Sequence, residues 1–273
     1  MKKFFLFFIK TPIRKTITFL FVWLLSLPVI FVIAMLVLRT NQVPAEAALF
    51  SFIWGAIATV IFWKKFEKEP LSQMGFSSKK IPLNILIGFF ASVAIVIFVT
   101  SVLYLLGLAK IQLNIWTTMP LLILIIVTLI RSTVEEIIFR GYFLHLFAKN
   151  YSRITALLTT SIIFGLIHIP SAGFNILGIL SHTIWAAILA LIMFRWHSIW
   201  LTIGAHIGWN FTMWYFLGLP VYGEHAAQSI YYTTLLGNNI ITGGYFGIDA
   251  SVIMIFLLAF LFVFFKPGKY LKK

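Results

Sequence analysis

Long apolar stretches alternate with short polar ones along this chain, at about residues 17–38, 47–63, 83–106, 119–146, 154–170, 175–194, 198–217 and 250–265. Each stretch approaches the ~20 residues with which a helix crosses a hydrocarbon core. A bilayer offers backbone polar groups no solvent partner, so a spanning segment is a helix or part of a closed barrel. No ten-residue alternation of apolar and polar positions points to a barrel. The pattern therefore predicts an all-α, polytopic membrane protein with about eight transmembrane helices. It also divides the chain into residues 1–70 with two spans and a basic loop, a core at 71–217, and an outer loop with the last span at 218–273.

Composition agrees with that class. Hydrophobic residues make up 61% of the chain and charged residues 10%, against about 25% charged in soluble domains. Cysteine is absent, which excludes disulfides, Fe–S ligation and a thiol nucleophile. The net charge of +14 is compatible with nucleic acid, but its placement in tracts between apolar runs excludes that partner and fits an anionic lipid surface. The basic stretch Met1–Lys15 leads into an apolar run too long for a signal peptide, so the first span is predicted to be retained.

Basic residues also orient the spans. With the N-terminus inside, Lys2, Lys3, Lys10, Arg14, Lys15, Lys64, Lys65, Lys68, Lys79, Lys80, Lys149, Arg153, Arg195, Lys266, Lys269, Lys272 and Lys273 fall inside, and only Arg39 and Lys110 outside. Both termini are then cytoplasmic, and Gly, Phe, Ile and Lys usage points to a bacterial plasma membrane.

Candidate chemistry lies within the spans. The run Arg131-Ser-Thr-Val-Glu135-Glu136-Ile-Ile-Phe-Arg140-Gly141 places four charges in one apolar stretch, each costing ~2.5–3.5 kcal/mol on insertion scales. Such residues need partners or a polar cavity; one reading is that they only pair to hold helices together. At ~1.5 Å of rise per residue, Glu135, His168, His182, His206 and Asn210 lie roughly 16–22 Å from the nearest inside basic residue of their spans. They converge near the bilayer middle, which predicts a shared polar cavity. Phe164 and His168, and His206 and Asn210, are spaced by four and share a helix side. A carboxylate, imidazoles and an amide at one depth can take a proton and hold an oxyanion. Glu136 precedes Arg140 by four residues, the favourable order for a pair. Arg131 precedes Glu135 by four as well, but its position nearer the outer surface predicts that it snorkels to water instead. Ser132 and Ser161 have no base at helical spacing, and His145, His197 and His225 are read as interfacial with no role.

These residues resemble the CPBP family of intramembrane proteases, which includes type II CAAX prenyl endopeptidases and bacterial Abi proteins linked to bacteriocin processing and self-immunity. Glu135-Glu136-x-x-x-Arg140 with Gly141, then Phe164-x-x-x-His168, then His206-x-x-x-Asn210 reproduce its three motifs in order. Met74-Gly75-Phe76 is similar to the segment that precedes the family core, and Leu219-Pro220-Val221-Tyr222-Gly223 to a tail of some bacterial members. The resemblance implies an intramembrane endopeptidase acting on a membrane-associated or lipidated peptide. Glu135 and His168 would activate water, His206 and Asn210 would stabilise the oxyanion, and Glu136 and Arg140 would support them. No cofactor is required on this reading. If a metal takes part, Glu135, His168 and His206 would supply three ligands, as in catalytic zinc sites, although no His-Glu-x-x-His helix is present. His182 departs from the family pattern. Two other classes share the buried polar ring: a proton-coupled transporter and a catalytically silent, peptide-binding immunity protein.

Overall fold

Helices stand where the apolar runs predict them. The computed structural model describes residues 11–38, 47–76, 80–114, 118–171, 173–226, 228–265 and 267–271. Of the charges used for orientation, Lys2, Lys3, Lys10, Arg39, Lys79, Lys266, Lys272 and Lys273 lie outside the described residues. Helix α1 is Pro12–Leu38, α2 Ala47–Phe62 and α3 Ile81–Leu105. A strand β1, Ala109–Leu113, leads to α4, Thr118–Glu136, which passes through a π-helical segment, Ile137–Phe143, into α5, Leu144–Asn150. Helices α6, Arg153–Leu166, and α7, Ile176–Trp196, follow. Helix α8, Ile199–Asn210, also runs on into a π-helical segment, Phe211–Phe216; strand β2 is Tyr231–Leu235, and α9 is Val252–Phe264. Among the described residues, α3 and α7 have the length and apolarity of a complete span, and α6 and α9 are shorter apolar helices.

The outward faces are apolar. Leu86, Phe90 and Phe98 on α3, and Phe256, Phe260 and Phe264 on α9, are all more than half exposed. Apolar surface on this scale marks a membrane or partner interface, and a hydrocarbon environment is what the sequence pattern requires. Among the described residues the interior holds three hydrophobic clusters. One joins Val96, Trp185, Trp209 and Met213 to Leu219, Ile248 and Leu258, so the core continues past residue 217 into the last part of the chain. Another joins Phe19, Phe62 and Trp63 of the first two helices and the turn after them to Phe139, Tyr142 and Phe164.

Connecting segments meet in two separate groups. Lys15 pairs with Glu67, Lys149 with Glu69 and, at 3.7 Å, with Glu67. Arg153 donates to the Tyr270 carbonyl at 3.0 Å and Asn84 to Ser198 at 2.9 Å. At the opposite ends of the helices, β1 pairs antiparallel with β2, from Ala109 against Leu235 to Leu113 against Tyr231. These are the segments that the charge pattern assigns to opposite sides.

Helix α8 is the element that positions the polar residues. Its Gly204-x-x-x-Gly208 face lies directly on α3: a Cβ at Gly204 would stand 2.1 Å from the Ile85 carbonyl oxygen, and one at Gly208 2.3 Å from that of Phe89. Small residues at this spacing let helix backbones touch where packing replaces a hydrophobic drive. His206 lies two residues from each glycine, about 200° around the helix. Packing the glycine face on α3 therefore turns His206 and Asn210 toward α4.

Candidate active site

Helix α4 delivers two carboxylates pointing to different partners. Arg140 Nη1 donates to Glu136 Oε1 at 2.9 Å, and His206 Nδ1 donates to the same oxygen at 2.8 Å. Glu136 and Arg140 are both buried, so the predicted pair forms, and Glu136 also orients the imidazole of α8. His206 then presents Nε2 at 3.7 Å from Glu135 Oε2. One imidazole thus bridges the two adjacent acids.

The expectation that Arg131 leaves Glu135 free is corrected. Arg131 Nε donates to Glu135 Oε1 at 2.9 Å. The cause is local: Arg131 borders a cavity of about 180 Å³ with Thr128, Asn210, Tyr215 and Tyr222. With the Glu135 carboxylate one turn along the same helix, the side chain has a partner without climbing to the outer surface. Glu135 is left with one oxygen held by Arg131 and the other facing His206.

The Phe164-x-x-x-His168 motif acts as a single piece. The Arg140 guanidinium lies 4.5 Å from the Phe164 ring centre, in a cation–π arrangement. The same ring lies 5.2 Å from His168 and 6.0 Å from His206. His168 itself follows the end of α6 in a turn rather than lying within the helix as the 154–170 span predicts. Its Nδ1 donates to the Phe164 carbonyl at 2.7 Å, which fixes the tautomer and leaves Nε2 without a proton in the neutral ring. Asn210 spends one amide hydrogen on Ser132 Oγ at 3.0 Å and keeps the second.

Two of the motif-bearing helices change winding at the site: α4 ends at Glu136 and α8 at Asn210, each passing directly into a π-helical segment. Such insertions recur at functional positions. The carbonyls of Arg140 and Gly141 are taken up by His145 Nδ1, 3.0 Å from each. His145, expected to have no role, thus supports the irregular winding. His225 bonds the Gly218 carbonyl at 3.0 Å and stacks on Tyr232, while His197 is the left-handed residue that ends α7.

A second polar group adjoins the first. His182 of α7 stacks against His168, with ring centres 4.4 Å apart. Its Nδ1 donates to the Gly178 carbonyl at 2.7 Å. Its Nε2 stands 3.1 Å from the Tyr222 hydroxyl and 3.6 Å from Asp249 Oδ2. Asp249 is buried. Sequence reasoning gave Tyr222 and Ser132 no place in the site and passed over Asp249. The usable signal was Asp249, one of seven acids in the chain, placed beside an apolar run.

Among the described residues no three His, Asp or Glu side chains gather in a metal-holding cluster. Of the three suggested ligands, Glu135 gives one oxygen to Arg131, and His206 and His168 give Nδ1 to Glu136 and the Phe164 carbonyl.

Apolar helices thus enclose a cluster of Glu135, Glu136, His168 and His206, with Asn210 at its edge. Residues 115–212 match the family described as type II CAAX prenyl endopeptidase Rce1-like. That segment contains all three motifs, and the family expected from them is borne out: it is a family of integral membrane proteases. A search of curated proteins gives no match.

Proposed function

We propose that the protein is an intramembrane endopeptidase that hydrolyses a peptide bond of a membrane-associated or lipidated peptide by a metal-independent glutamate mechanism. The observation that carries this reading is His206 bridging Glu135 and Glu136 beside a cavity bordered by Asn210.

In this mechanism Glu135, by the oxygen not bound to Arg131, takes a proton from water, with the bare Nε2 of His168 as a second acceptor. The water oxygen bonds to the scissile carbonyl carbon. The resulting oxyanion is met by the spare N–H of Asn210 and by the Nε2–H of a doubly protonated His206, whose Nδ1–H is held by Glu136. Collapse breaks the C–N bond, and Glu135 returns its proton to the departing amine, acting as base and then acid. Glu136, Arg140 and Phe164 keep the imidazoles aligned.

The segment grouping supports a topology with both termini on the cytoplasmic side and residues 218–249 outside. The substrate is a peptide, lipidated or not, such as a bacteriocin leader or signalling peptide.

Purified protein should cleave a membrane-inserted peptide, and Glu135→Gln and His168→Ala should each abolish cleavage while remaining folded. His206→Ala and Asn210→Ala should slow turnover ~100-fold or more, the cost of losing an oxyanion donor. Normal turnover by Glu135→Gln would remove the basis of the assignment.

A further inference from the structure

Tyr222 borders the same cavity as Asn210 and Arg131, although it lies beyond the matched segment. It stands on a strained turn: φ is +56°, a conformation that is unusual for a bulky residue. Strain of this kind persists only where surrounding structure imposes it, and it clusters at functional sites. Here the restraints are explicit. The Tyr222 N–H donates to the Phe246 carbonyl at 3.0 Å, and the Tyr222 carbonyl accepts from the Gly173 N–H at 2.8 Å. Gly173 and Gly223 must both be glycine for these strands of chain to meet, since a Cβ on Gly173 would stand 2.8 Å from Gly223. The ring is clamped between His168, at 5.1 Å, and Phe246, at 5.5 Å.

The hydrogens of His182 decide which way the hydroxyl works. Nδ1 faces a carbonyl, which only accepts, so it carries hydrogen. Nε2 faces two oxygens, the Tyr222 hydroxyl and the Asp249 carboxylate. With the ring taken as an imidazolium whose charge the Asp249 carboxylate balances, Nε2 carries hydrogen as well. Tyr222 then accepts from His182, and its own O–H is left to turn into the cavity.

We propose that Tyr222 is a further donor to the substrate carbonyl, across the cavity from Asn210, and that Asp249 and His182 are positioning residues that set its hydrogen. The inference rests on the reading of this cavity as the peptidase site. It gives His182 a task and explains why a buried acid sits on the last loop. It also means that the oxyanion is held from two sides, by α8 and by the segment after it.

The test measures peptide cleavage kinetics and melting temperature for wild type, Tyr222→Phe, His182→Gln, Asp249→Asn and the Tyr222→Phe/His182→Gln double variant. Tyr222→Phe keeps every ring contact and removes one hydrogen-bond donor. Its kcat should fall ~100-fold, in the range for an oxyanion donor, with KM and melting temperature near wild type. His182→Gln should lower kcat in the wild-type background and add little once Tyr222 is Phe, because it acts through that hydroxyl. Full kcat in Tyr222→Phe, or fully multiplicative losses in the double variant, would overturn the proposal. Tyr222→Phe decides the question by itself if Asp249→Asn fails to fold. Absence of cleavage by wild type would instead remove the peptidase reading on which the inference stands.

Discussion

Glu136 Oε1 accepts from both Arg140 and His206, whereas Glu135 meets Arg131, whose side chain is 38% exposed. The two neighbouring acids should therefore fail differently. Glu136→Gln leaves the buried Arg140 charge unbalanced, and losing one member of a buried pair costs roughly 3–5 kcal/mol. Arg140→Ala should cost a similar amount, and the double variant less than the sum. Glu135→Gln should abolish turnover at a much smaller cost in melting temperature. The reverse pattern, with Glu135→Gln destabilised and Glu136→Gln stable but inactive, would exchange the two roles. Activity should also survive thorough chelation, with substoichiometric metal by elemental analysis; loss on chelation restored by Zn²⁺ would reverse the mechanism. The Glu136–Arg140 pair was legible in the sequence because a spacing of four fixes it on one helix. The identical spacing of Arg131 and Glu135 was misread, since linear depth does not decide between a partner one turn along the helix and water at the surface.

At the scale of elements, the orientation of His206 depends on a contact on the far side of its helix. A methyl group at Gly204 or Gly208 would enter the backbone of α3. Gly204→Ala and Gly208→Ala should push α8 from α3, lower the melting temperature and reduce activity together. Gly268→Ala, where nothing lies within 4 Å of an added Cβ, should be neutral. Equal stability of all three would mean that α3 does not set the position of α8. The helices themselves were legible because apolar runs and their charged borders are written residue by residue. The π-helical segments after Glu136 and Asn210 were not, because they show no change in hydrophobic period. Tyr222 and Asp249 were hidden for another reason: they reach the site through loop conformation, which no spacing rule encodes.

For the whole molecule, the pairing of β1 with β2 requires the segments after α3 and α8 to share one side. An otherwise cysteine-free chain makes this simple to test. Thr234→Cys, exposed on β2, should react with an impermeant thiol reagent from outside intact cells. Ser72→Cys, exposed near the opposite helix ends, should react only after permeabilisation. The inverse result would overturn the orientation.

The core cluster that runs past residue 217 to Leu219, Ile248 and Leu258 has a consequence for biosynthesis. A ribosome that has inserted residues 1–217 has already delivered Glu135, His168, His206 and Asn210 to the membrane, but not Tyr222 or Asp249. The nascent protein therefore holds every motif while its cavity still lacks a wall. Hydrolytic competence should appear only when the final helix is threaded, so an arrested intermediate would be inert toward the peptides around it.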